Sequence, residues 1–95
     1  MTTNYLVQGS MDASSVTTLK DDFEALATAG HDVVLDLSKT DFLDSSGVGA
    51  IVYLYKRLSA AGSRLELQGV DGQPLRLLEF LRVTSVVPVR QVSAG

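Results

Sequence analysis

Apolar side chains recur at helical spacing in three stretches of the chain, and short runs suited to strands lie between them. Val16, Leu19, Phe23 and Leu26 stand three, four and three residues apart, while Lys20, Asp21, Asp22 and Glu24 fill the opposite side. That period predicts an amphipathic helix over Ser14–Ala29, which Asp12 or Ser14 can cap and Gly30 can end. Val48, Ile51, Val52, Tyr55 and Leu58 give a second inward stripe over Ser46–Ala60, ended by Gly62. In DGQPLRLLEFLRV, Asp71 can cap a shorter third helix, with Pro74 in its first turn and Leu75, Leu77, Leu78 and Leu81 as its apolar residues.

The strand patterns are shorter. Leu6–Gln8 is a brief strand closed by Gly9, and Asp32–Leu37 (DVVLDL) is β-branched and mostly apolar, as in a strand buried on both faces. SRLELQG alternates through Leu65 and Leu67, and SVVPV is a last strand that Pro88 assigns to an edge. The order is β-α-β-α-β-α-β. It implies an α/β fold, a mostly parallel central sheet of about four strands packed by about three helices. No repeat, low-complexity tract or linker divides the chain, so a single domain over 1–95 is expected, ordered over about 4–90 and frayed over 91–95.

Composition narrows the possible functions. An apolar content of 45% and a charged content of 20% suit a globular domain. Eight Lys plus Arg against eleven Asp plus Glu give a net charge of -3 without a run of like charges, so direct nucleic-acid binding is not expected. The absence of cysteine removes disulfides, zinc–thiolate sites and thiol catalysis. No apolar stretch approaches the roughly 20 residues of a bilayer span, and the N-terminus has neither basic residues nor a signal-peptide core. The expectation is a soluble, cytoplasmic domain with no cofactor and no membrane insertion.

Candidate chemistry gathers in DFLDSSGVGA, Asp41 to Ala50. Its serines could be a nucleophile, a phosphate cradle, a modification target or a helix cap. A dinucleotide site lacks the third glycine of its fingerprint, since position 52 is Val, and a P-loop lysine is missing. A serine nucleophile needs a base within hydrogen-bond reach. The only histidine, His31, precedes the Asp32–Leu37 strand whereas Ser46 follows it, so no enzyme is expected. Asp44, Ser45 or Ser46 can each cap the helix. The two glycines, costly in a first helical turn, make sense where another surface approaches the backbone. Ser46, Gly49, Ala50, Tyr53 and Arg57 share a face distinct from the Val48 stripe, which suits a docking surface.

VVLDLSKTDFLDSSGVGAIVYLYKRL resembles the central segment of STAS domains of the anti-sigma factor antagonist type, in which a strand ending Asp-Leu-Ser leads to Asp-Ser-Ser-Gly and a helix. GSMDASSVTTLKDDFEAL is similar to that family's Gly-x-Leu-Asp entry into its first helix, with Met11 in place of Leu. The resemblance implies a partner switch. The unmodified antagonist binds an anti-sigma factor that is also a serine protein kinase, phosphorylation releases it, and a PP2C-type phosphatase resets it. The acceptor would be the second serine, Ser46, with Ser45 the second choice. Asp44, Ser45, Ser46, Gly47, Gly49, Ala50, Tyr53 and Arg57 would form the partner-binding surface. A phosphate at a helix start would meet exposed N–H groups and a favourable dipole. Longer members carry an additional N-terminal strand and a closing C-terminal helix. LELQGVDGQPLRLLEFL also resembles the STAS subunits attached to ABC-transporter ATPases in lipid trafficking, which usually carry Thr-Gly where this chain has Ser-Ser-Gly.

Overall fold

The computed structural model describes residues 1–91. Four strands alternate with three helices: β1 (Thr2–Met11), α1 (Ala13–Thr28), β2 (Asp32–Leu43), α2 (Ser45–Ala60), β3 (Leu65–Gln68), α3 (Gly72–Phe80) and β4 (Val89–Arg90), with one turn of 3-10 helix at Val83–Ser85 before β4. The strands form one parallel sheet in the order β1-β2-β3-β4. This is the α/β architecture that the alternation of patterns implied. The tail expected at 91–95 lies, from 92 onward, outside the described residues.

The element order agrees with the sequence pattern, and the differences lie in length. β1 is not the short Leu6–Gln8 segment but runs to Met11, with Gly9 at a positive φ of 80° inside it. β2 continues past Leu37 to Leu43. Of its polar residues beyond the expected end at Leu37, Lys39 and Thr40 pair with Gln8 and Gly9 of β1, while Ser38 and Asp41 fall in the irregularities that β2 absorbs. Leu6 pairs with Asp36 and Gln8 with Lys39, Gly9 with Thr40 and Ser10 with Phe42, so β2 gains a residue at each of two register shifts. Thr40, buried between them, donates its hydroxyl hydrogen bond to the Val7 carbonyl oxygen at 3.0 Å. The SVVPV strand shrinks to Val89–Arg90 at the sheet edge, and Pro88 lies just outside it, its carbonyl accepting from the Leu67 N–H.

The core lies between the sheet and its helices. Val7, Val33, Leu35, Leu37, Leu65 and Leu67 from the strands meet Phe23 and Leu26 of α1, Leu78 of α3, and Ile51, Leu54 and Leu58 of α2. The buried stripe of α2 is therefore Gly47, Ile51, Leu54 and Leu58, flanked by Val48. Leu54, absent from the expected stripe, is fully buried, whereas Val52 and Tyr55 are only half-buried. Leu81, expected inside, caps α3 at 45% exposure. Tyr5 ties β1 to α1 by stacking edge-on to Phe23 and donating to Asp22. Burial, and then that hydrogen bond, push its phenol up to about 12.

Candidate functional site

In a parallel sheet all strands end on one side, so the starts of the following helices gather there. Asp12, Asp44 and Asp71 are the N-cap residues of α1, α2 and α3. The ends of β1 and β2 are adjacent: Met11 pairs with Leu43, and the Asp44 N–H donates to the Met11 carbonyl. The two serine-bearing helix starts thus sit beside each other.

Asp44 performs the capping that sequence left open among three residues. Its backbone is extended, and its Oδ1 accepts from the Ser46 N–H at 2.9 Å and the Gly47 N–H at 3.1 Å. Its carbonyl oxygen takes the Val48 N–H at 3.0 Å. A phosphate on Ser46 would therefore find the Ser46 and Gly47 N–H groups already held by a carboxylate. Ser45 is exposed and Ser46 half-buried. Neither hydroxyl makes a hydrogen bond among the described residues, so the cap leaves both side chains uncommitted.

The two glycines separate. A Cβ on Gly47 would collide with the Met11 carbonyl oxygen and lie 2.8 Å from the Met11 Cβ. Gly47 is buried on the α2 stripe, so its lack of a side chain serves the packing of α2 against the end of β1, not the approach of a partner. This corrects the reason expected for it. Gly49 is exposed, with nothing within 4 Å of its Cβ position, and keeps an open backbone face.

Farther along that face, Ala50 and Tyr53 border a groove between α2 and α1, together with Val16, Lys20 and Phe23. Tyr53, at 46% exposure, donates its hydroxyl to Glu24 at 2.9 Å, and Arg57 pairs with both Glu24 oxygens. The Arg57 guanidinium, and then the Tyr53 hydroxyl, hold the Glu24 carboxyl below its usual range. The cation anticipated for docking is thus paired with Glu24 of α1 while its side chain stays 37% exposed, and Ser45, Ser46, Gly49 and Ala50 carry no side-chain hydrogen bond among the described residues.

Sequence reasoning missed one residue of the site. Gln73, in the first turn of α3, accepts from the Leu43 N–H at 2.9 Å and donates to the Leu43 carbonyl oxygen at 2.7 Å. Its amide pairs with the strand end immediately before Asp44. Nothing local marks such a residue, because its partner lies 30 positions away.

His31 and Ser46 flank the 12 residues of β2, on the order of 35 Å of strand, so they do not form a base–nucleophile pair. Among the described residues, no group of three or more His, Asp or Glu side chains is placed to hold a metal ion, and no helix is long and apolar enough to cross a membrane. A cavity of about 650 Å³ lies at the opposite ends of the strands, lined by Asn4, Asp32, Arg64, Glu66 and Arg90 among others, and includes none of the site residues.

Residues 2–94 match the STAS domain family. The anti-sigma-B factor antagonist of Bacillus subtilis (strain 168) is 25% identical over 89 residues, which cover 94% of this chain and 82% of that protein. The solved structure of the anti-sigma factor antagonist SpoIIAA in its unphosphorylated form matches with a TM-score of 0.70 at 18% identity, over 99% of this chain and 81% of that one. A sulfate transporter family protein from Wolinella succinogenes matches with a TM-score of 0.78 at 16% identity, over 94% of this chain and 75% of that one. At such identities the two structures speak for a shared fold.

Proposed function

The chain belongs to the STAS domain family, and from that premise we propose that it is an anti-sigma factor antagonist, a cytoplasmic single-domain binding module switched by phosphorylation of Ser46. The unmodified protein binds an anti-sigma factor that is also a serine kinase. Phosphate transfer to Ser46 breaks the complex, and a PP2C-type phosphatase restores the binding form. The module itself performs no chemistry.

The observation that carries this reading is the uncommitted Ser46 hydroxyl on a helix start whose capping is done wholly by Asp44. Modification can therefore add charge without first removing a cap. A phosphate brings about -1.5 to -2 charges at pH 7. It arrives beside Asp44, on a sheet end that also carries Asp12, Asp41 and Asp71. Two unit charges 4 Å apart interact by about 4 kcal/mol at an effective dielectric of 20. Half of that between phosphate and a partner's acidic group weakens binding roughly thirtyfold. The name of the Bacillus subtilis relative supports the same reading. Ser45 and Ser46, both present and free, weigh against attachment to a transporter ATPase, for which Thr-Gly is usual.

Ser46→Asp tests the reading. It keeps the fold, by circular dichroism, and loses affinity for the kinase by about tenfold or more. Wild-type affinity in Ser46→Asp would contradict it, as would stable co-purification of the protein with a transporter ATPase irrespective of ATP.

A further inference from the structure

We infer that Gln73 is a positioning residue: by closing both backbone hydrogen bonds of Leu43, it holds Asp44 where it caps α2 and so fixes how Ser46 is presented. The consequence for phosphorylation rests on the antagonist reading. The effect on the cap does not.

The strand pairing shows why such a group is needed. β2 pairs with β3 only from Val33 to Asp36, because β3 ends at Gln68. Beyond Asp36, β2 continues to Leu43 with β1 on one side alone. In a parallel strand the N–H and C=O of one residue point to the same side, and those of the next residue to the other. Asp44 directs its N–H to Met11 of β1, so Leu43 directs its own pair toward the side that β3 has vacated. Leu43 is fully buried as a residue, and unpaired backbone groups there would be costly. The Gln73 carboxamide meets this need with one acceptor and one donor, as a neighbouring strand would.

The clamp also connects α3 to the site. Gln73 stands in the first turn of α3, next to the buried Pro74, and Asp71 at the N-cap makes no side-chain capping bond. The backbone runs directly from the clamped Leu43 to Asp44, whose Oδ1 holds the Ser46 and Gly47 N–H groups. One side chain from α3 therefore closes the side of the strand end that β1 does not hold. At the start of α1 the corresponding restraint comes from Ser15, within α1 itself. Loss of the Gln73 amide should loosen the second start and leave the first intact.

Gln73→Met separates hydrogen bonding from packing, since methionine has similar length and no amide. Amide hydrogen exchange by NMR should accelerate about tenfold at Ser46 and Gly47, with Ser14 and Ser15 unchanged. Acceleration confined to Leu43 would overturn the inference, as would an equal change at both helix starts. If Gln73→Met does not fold, Gln73→Glu gives the same comparison, because it keeps the acceptor for the Leu43 N–H. With the kinase, kcat for Ser46 should fall about tenfold while KM changes little, the pattern of a misplaced acceptor. An unchanged kcat would overturn the assignment. Wild-type protein that takes no phosphate at Ser46 would instead refute the antagonist reading, and the exchange data alone would then decide the role of Gln73.

Discussion

The starts of α1 and α2 are two solutions to the same local problem, and they differ in what they leave over. Both begin with an aspartate whose Oδ1 accepts from the second and third N–H groups of its helix, Ser14 and Ser15 in α1, Ser46 and Gly47 in α2. In α1 the serine side chains are consumed. The Ser14 hydroxyl donates to Asp12, while the Ser15 hydroxyl accepts from the Asp12 N–H at 2.9 Å and donates to the Ser10 carbonyl at 2.6 Å. In α2 the third position is glycine, and both serine hydroxyls stay free of the cap. A closed capping box makes a durable helix start, and an open one leaves a hydroxyl available for chemistry.

Substitutions can break this contrast, and the largest effect falls at Gly47. Gly47→Ala forces the β1 end and α2 apart and should cost about 1–3 kcal/mol, read as a lower Tm. Gly49→Ala, with open space around it, should gain about 0.5–1 kcal/mol of stability and weaken kinase binding. Equal effects at the two positions would remove the distinction between packing glycine and surface glycine.

The serines come next. Ser15→Ala loses a hydroxyl that both accepts and donates, and should cost about 1 kcal/mol. Ser46→Ala should change stability by less than about 0.5 kcal/mol, because its hydroxyl holds nothing in the fold. A larger loss from Ser46→Ala, by thermal or denaturant unfolding, would make Ser46 a structural residue.

The smallest expected effect depends on pH. The Ser15 N–H, followed by the Ser14 hydroxyl, holds the Asp12 carboxyl below its usual range. A carboxylate favoured by folding contributes stability that is complete above its unfolded value, about 3.9, and is lost as pH falls through the lowered folded value. Asp12→Asn should therefore flatten the acid side of the Tm–pH profile below about pH 4. An unaltered profile would show that the α1 cap does not depend on charge.

Sequence carried the parts of this picture that are local. Helical spacing located α1 and α2, Asp12 was readable as a cap, and the Ser-Ser-Gly motif stood out beside Asp44. What it could not carry depends on distant neighbours. The apolar pattern of the second strand stops at Leu37 because the pairing that carries β2 on to Leu43 is supplied by β1 and by the buried Thr40. Gly47 looked like a surface glycine because its obstacle, Met11, lies on another strand. Arg57 looked free because its partner, Glu24, belongs to α1. Gln73 was an ordinary polar residue until α3 brought it to Leu43.

The most direct test is to incubate the protein with its anti-sigma factor kinase, ATP and Mg²⁺ and to map the phosphate by mass spectrometry. Stoichiometric label is expected on Ser46, with Ser14 and Ser15 unmodified. Label on Ser14, Ser15 or Ser45 in place of Ser46, or no label at all, would contradict the Ser46 assignment.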